Sequence, residues 1–158
     1  MHAVVLAGGY ATRLWPVTKN RPKMLLPVGD TTVIDRILGE LEADERIDEV
    51  YVSTNERFAP DFEAHIAESG LEKPRLTVEQ TTEEDEKFGV VGALAQLVER
   101  EDVAGEDLLV VAGDNLIGFD VSDFVDFFEA KGDPTIAAYD VGSREKARSY
   151  GLVDLDGD

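Results

Sequence analysis

Two stretches decide how this chain folds: residues 2–9, HAVVLAGG, and residues 107–114, DLLVVAGD. Each is a short apolar run that stops at a glycine. The first has no polar side and so no solvent face, and it reads as a strand buried on both faces, the kind that builds parallel sheets; the second reads as a further strand. Working outward, Asp48–Thr54 (DEVYVST) alternates as a strand and Leu76–Glu79 reads as another. Thr135–Val141 and Tyr150–Leu155 read as a fifth and a sixth strand. Between them lie helical patterns. Val33, Ile34, Ile37, Leu38 and Leu41 share one face behind Thr32, whose spacing to Asp35 is that of a capping box with Asp in place of Glu. Residues 60–69 fit a polar surface helix. Gly89–Arg100 fits a helix with Val90, Leu94, Leu97 and Val98 inward. Val121, Phe124, Phe127 and Phe128 line a further one. Strands alternating with helices predict an α/β fold: one domain over residues 1–158, a mostly parallel sheet with helices on both faces. Ligands of such sheets sit beyond the carboxyl ends of the strands. Gly8-Gly9 and Gly113-Asp114 both fall at that edge.

The charge is uneven. The chain has 158 residues with 15 Lys and Arg against 34 Asp and Glu, a net of −19. Residues 1–29 contain no acid at all, where the average density predicts about six. They carry Arg13, Lys19, Arg21 and Lys23, which leaves −23 on the rest. A positive island in so acidic a chain suggests a site for an anion. The overall balance argues against nucleic-acid binding by a broad basic face. Abundant acid with scarce Lys reads as adaptation to a salty cytoplasm, against the plainer reading of an acidic mesophile. Cysteine is absent, so disulfides and thiolate metal sites are excluded. No apolar run approaches the ~18 residues of a membrane span, and the N-terminus lacks the basic region of a signal peptide. A cytoplasmic location follows as the expectation. His2 and His65 lie far apart and read as ordinary surface residues. The last strand runs into Asp156-Gly157, a hairpin signal with no returning strand, which suggests a piece of a longer protein.

The chemistry concentrates in residues 6–28, LAGGYATRLWPVTKNRPKMLLPV. A long loop with Pro16, Pro22 and Pro27 is usually functional when it is not disordered. Backbone N–H groups at Gly8-Gly9 can approach phosphate oxygens with no Cβ in the way. Arg13 and Lys23 can supply fixed cations to a polyphosphate. The Walker pattern is missing. So is the dinucleotide fingerprint, which needs a third glycine and an acidic end to the second strand, where this chain has Ser53-Thr54. Asp114, just past a strand, can hold Mg²⁺ against phosphate.

Taken whole, residues 6–28 resemble the signature of the sugar-1-phosphate nucleotidyltransferases, with Ala11 where that family usually has glycine. The resemblance implies a Rossmann-like nucleotide-diphospho-sugar transferase fold, here C-terminally truncated. It implies transfer of a nucleotidyl group from a nucleoside triphosphate, dTTP or UTP, to a sugar 1-phosphate, glucose 1-phosphate, releasing pyrophosphate. It implies Arg13 and Lys23 as catalytic, and Leu6, Ala7, Gly8, Gly9, Thr12, Arg13, Gln80 and Gly89 as nucleotide-binding. Asp114 in VVAGDN is implied as the Mg²⁺ ligand. Gln80, ahead of Phe88-Gly89-Val-Val-Gly92-Ala-Leu, is implied as reader of the base, although Val90-Val91 replace the usual smaller pair. Tyr150 and Gly151 are implied at the sugar. The family's E-E-K-P segment and second metal carboxylate are not in the chain. The other readings are a nucleotide-binding module without turnover, and a homo-oligomer of either.

Overall fold

The computed structural model describes residues 1–79 and 89–154. Met1–Asp120 and Val121–Asp158 form two compact units. In the first unit β1 (His2–Leu6), β4 (Glu49–Asn55), β5 (Pro74–Glu79) and β6 (Leu108–Ala112) make one parallel sheet in the order β5-β4-β1-β6. The chain steps from β1 to β4 and on to β5, then returns past both to reach β6. Right-handed crossovers therefore put α1 (Val33–Ala43) and α2 (Ala59–Ser69) on one face and α3 (Gly89–Arg100) on the other. The α3 face holds a cluster of Val4, Tyr51, Leu97 and Val103, edged by Leu6, Leu94, Val98 and Leu108. Among the described residues no helix is long and apolar enough to cross a membrane.

β1 behaves as expected: Ala3, Val4 and Val5 are wholly buried. β6 is only half-buried, with Val110 40% exposed, because it is the edge strand of the sheet among the described residues. β4 does not alternate. Six of its seven residues are buried, because it lies between β1 and β5 with helices on both faces. The polar end of β4, Ser53-Thr54-Asn55, is therefore enclosed and must be hydrogen-bonded.

The long loop is more ordered than proline content suggests. It contains 3-10 turns at Thr12–Leu14 and Lys23–Leu25 and a two-residue antiparallel ladder of β2 (Pro27–Val28) with β3 (Thr31–Thr32). α1 starts with the predicted capping box. The Thr32 hydroxyl accepts from Asp35 N–H at 3.3 Å, and the Asp35 carboxylate accepts from Thr32 N–H at 2.9 Å. Ile34, Ile37, Leu38 and Leu41 are buried; Val33 is only half-buried. The helix at 60–69 has a polar surface apart from Phe62, which is fully buried.

Several expectations are corrected. Val90 lies on the inward face of α3 yet is 64% exposed, because nothing among the described residues covers the first turn. Neither histidine is a plain surface residue. The His2 ring lies 5.8 Å from Tyr51, and His65 Nε2 meets Asp35 Oδ1 at 2.6 Å. The second unit holds α4 (Val121–Lys131) and the single turn α5 (Arg144–Ala147), which the sequence reading did not anticipate. The buried stripe of α4 is Val121 and Val125 with Phe124 and Phe128 half-buried, while Phe127 stands out to solvent. At 100° per residue Phe127 points about 120° from Val121, off the stripe. Residues 135–141 form no strand, and neither do residues 150–154. Alternation alone makes no strand. Ladder hydrogen bonds need a partner, and these segments have none among the described residues.

Candidate functional site

β1 and β6 are neighbours, but the chain leaves β1 toward β4 on the far side. Their carboxyl ends therefore flank the point where strand order reverses, the crevice in which open parallel sheets bind ligands. The sequence places Gly8-Gly9 on one lip and Gly113-Asp114 on the other. The lips are stitched together: Gly113 N–H donates to the Leu6 carbonyl at 3.0 Å. A Cβ on Gly113 would lie 3.1 Å from Val5 Cγ1 and 3.3 Å from the Leu6 oxygen, so glycine lets β6 approach this closely.

Ala7 is buried with both backbone groups engaged. Its N–H donates to the Ser53 carbonyl at 2.7 Å, and its carbonyl accepts from Thr54 Oγ1 at 3.3 Å. The Gly8 carbonyl accepts from Asn55 Nδ2 at 3.0 Å. Gly9 is exposed. Beyond it Ala11 sits at φ 47°, in the left-handed region that glycine fills without strain. The loop holds that conformation with two bonds to the Ala11 carbonyl, from Leu14 N–H at 2.9 Å and Thr18 Oγ1 at 2.8 Å. Thr12 and Arg13 project from the turn that follows and are exposed; Arg13 has no ion-pair partner among the described residues. An exposed guanidinium four residues beyond a glycine pair can meet an anion.

Lys23 and Asp114 meet. Lys23 Nζ lies 2.8 Å from Asp114 Oδ2, and each side chain is 38% exposed. The proline-punctuated loop thus returns to the mouth of the crevice and places a cation against the carboxylate of the opposite lip. Two other loop contacts help to hold it. An Arg57 N–H donates to the Lys19 carbonyl, and Tyr10 packs against Phe58 with ring centroids 5.9 Å apart.

Gly89 opens α3 at φ 71° and is exposed. Gln80 lies outside the described residues. Tyr150 and Gly151 belong to the second unit and are exposed. One residue the sequence reading passed over stands beside the glycine loop. Glu79, 8% exposed at the end of β5, accepts from Ser53 Oγ at 3.1 Å. Its Oε1 lies 2.7 Å from where a Cβ on Gly8 would be, so it occupies the room that any other residue at position 8 would need. The only signal was indirect, a Glu closing a strand that the topology buries.

Among the described residues no group of three or more His, Asp or Glu could hold a metal by itself. One half-exposed carboxylate at a crevice mouth suits a hard cation that takes most of its oxygens from phosphate and water, as Mg²⁺ does.

The chain is similar to known proteins in sequence and in fold. The nucleotidyl transferase family model matches residues 2–158. The mannose-1-phosphate guanylyltransferase of Mycobacterium tuberculosis is 31% identical over 98% of this chain and 40% of its own length. A glucose-1-phosphate adenylyltransferase of Rhodopirellula baltica is 32% identical over 98% of this chain and 37% of its own length. A Bacillus anthracis structure, provisionally named a glucose-1-phosphate thymidylyltransferase and solved with sucrose, superposes with a TM-score of 0.68 at 29% identity, covering 82% of this chain and 50% of that one. The chain spans about two fifths of the length of these curated relatives.

Proposed function

The chain belongs to the nucleotidyl transferase family, and from that premise we propose that the protein transfers a nucleotidyl group from a nucleoside triphosphate to a sugar 1-phosphate, releasing pyrophosphate. The observation that carries this reading is the crevice at the reversal of strand order. There a glycine loop, the exposed Arg13 and a Lys23–Asp114 pair stand at the ends of β1 and β6.

The chemistry is in-line attack by a sugar phosphate oxygen on the α-phosphorus. The oxygen–phosphorus bond to the incoming phosphate forms as the bond to pyrophosphate breaks. No covalent protein nucleophile is required, in keeping with a chain without cysteine. Backbone N–H groups at Gly8 and Gly9 hold phosphate oxygens, Arg13 neutralises the leaving pyrophosphate, and Lys23 stabilises charge gathering at the α-phosphate. Bound Mg²⁺ would supply charge neutralisation, and Asp114 is the residue to hold it. Leu6, Ala7 and Thr12 shape the loop around the triphosphate. Gln80 and Gly89 are assigned to the base, and Tyr150 and Gly151 to the sugar. Catalysis of this kind is positioning plus electrostatics.

For substrates, dTTP or UTP with glucose 1-phosphate stand first, supported by the motif resemblance and the likeness to the Bacillus anthracis chain. The test is a screen on the intact gene product in molar KCl, read by pyrophosphate release. Its other arms are GTP with mannose 1-phosphate and ATP with glucose 1-phosphate, the pairs in the relatives' names. Release with one matched pair supports the reading. Triphosphate binding with no release from any pair supports a binding module without turnover.

A further inference from the structure

We infer that Thr54 and Asn55 are positioning residues that turn the N–H groups of Gly8 and Gly9 to the same side, toward β6, and so create the anion-binding face of the loop. The inference rests on the triphosphate reading just proposed. In a regular strand successive peptide groups face the two neighbouring strands in turn, so consecutive N–H groups point opposite ways. β1 keeps this alternation to its end. The Leu6 carbonyl faces β6 and accepts from Gly113 N–H, while Ala7 N–H faces β4 and donates to Ser53. The Ala7 carbonyl also faces β4, where Thr54 Oγ1 holds it. Across a trans peptide the carbonyl and the next N–H point in opposite directions. Gly8 N–H therefore points away from β4.

Alternation would next turn the Gly8 carbonyl toward β6. It is instead drawn back to the β4 side by Asn55 Nδ2 at 3.0 Å. Gly9 N–H must then also point away from β4. Two consecutive N–H groups on one side form a nest, a concavity with fixed partial positive charge. The side they face is the crevice side, where Gly113, Asp114 and Lys23 lie. Among the described residues neither N–H donates to the protein.

The β4 end is built to impose this. Thr54 and Asn55 are both wholly buried. Asn55 is also held at its other end, since its Oδ1 accepts from Phe58 N–H at 3.1 Å. With Oδ1 committed to Phe58, only Nδ2 can reach Gly8, and the amide cannot turn over without losing both bonds. The Ser-Thr-Asn run that ends β4 thus sets the direction of two donors just past the end of β1.

The test is an amide-resolved NMR titration of the ¹⁵N-labelled 158-residue chain with inorganic tripolyphosphate, free of divalent metal. In the wild type the Gly8 and Gly9 amide protons should move downfield together as the anion saturates. Thr54→Val keeps the shape but releases the Ala7 carbonyl, so the Gly8 response should shrink most. Asn55→Ser leaves a hydroxyl to accept from Phe58 N–H but cannot span to Gly8, so the Gly9 response should shrink most. Each variant should weaken binding about threefold to tenfold. A role confined to stability would shift melting without selecting between the two amides. Variants that fold, bind as the wild type does and leave both responses intact would overturn the inference, and that result from Thr54→Val alone is sufficient. If the wild-type glycine amides ignore the anion, the triphosphate reading itself falls, and the inference with it.

Discussion

Replacing Lys23 by Met keeps most of the aliphatic stem and removes the ammonium that meets Asp114. The Lys23–Asp114 contact is 2.8 Å long, but both side chains are 38% exposed. Water screens such a pair, which contributes about 0.2–1 kcal/mol. Lys23→Met should therefore lower the stability of the chain by no more than about 1 kcal/mol. Its effect on binding should be larger. A hydrogen bond to a charged partner contributes about 1.5–3 kcal/mol. Lys23 must give up Asp114 to make it, which offsets up to about 1 kcal/mol and leaves about 0.5–2 kcal/mol. That is about twofold to thirtyfold in Kd. Asp114→Asn should act with the opposite sign. Without divalent metal it frees Lys23 and removes a negative charge from the mouth of the crevice, so triphosphate should bind more tightly, by up to about fivefold. The same variant should lose the gain that Mg²⁺ gives the wild type. The assay is calorimetric titration with a nucleoside triphosphate, with and without Mg²⁺, at low ionic strength. Wild-type affinity in Lys23→Met, or weakened metal-free binding in Asp114→Asn, would refute the reasoning.

With a net charge of −19, and −23 outside the first 29 residues, the chain should melt at a higher temperature in molar KCl than in dilute buffer. The screening length shrinks from about 10 Å at 0.1 M to about 3 Å at 1 M, and equal melting temperatures would remove the halophilic reading. Asp35 should lend pH dependence to stability. Burial raises its pKa, but the Thr32 hydroxyl and N–H, with His65 and Thr31, outweigh that and hold its carboxyl below the usual 3.8. A depressed carboxyl stabilises the fold above its unfolded pKa and stops doing so as pH falls through the folded value. Asp35→Ala should thus cost about 1–2 kcal/mol at neutral pH. The gap from wild type should hold down to about pH 5 and narrow below about pH 4 in denaturant melts. A gap that widened on acidification would contradict the assigned cause. Arg13→Ala, made in the intact gene product, should lower turnover by about 10²–10³ with little loss of stability. A variant within threefold of wild type would sink its role.

The parts of the fold carried by local pattern could be read before the structure. The strands β1 and β6, the strand–helix alternation and the Thr32 capping box each have a signal within a few residues, but the half-exposed edge position of β6 does not. Strand pairing is different, because it is a relation between distant segments. The alternation at 135–141 and 150–155 was present, yet residues 135–141 and 150–154 pair with nothing among the described residues. Phe127 shows a related limit. Its hydrophobicity suggested burial, but helical phase puts it off the Val121–Val125 stripe. At the site, residue types and spacing singled out Gly8, Gly9, Lys23 and Asp114 as candidates. They could not show that Lys23 reaches Asp114 across 91 positions, or that Glu79 and Asn55 close on Gly8 from β5 and β4. Those contacts exist only once strand order is known. Position 11 falls between the two cases, since alanine where glycine is usual raised the question of its backbone and the left-handed φ answers it.

The central claim is that the crevice between the ends of β1 and β6 receives the phosphates of a nucleoside triphosphate. The most direct measurement is a crystal structure of this chain grown with a nucleoside triphosphate and Mg²⁺. Phosphate oxygens within hydrogen-bond distance of Gly8 and Gly9 N–H, with Lys23 turned from Asp114 toward them, is the predicted result. A triphosphate bound elsewhere, with the Lys23–Asp114 pair still closed over the loop, would contradict it.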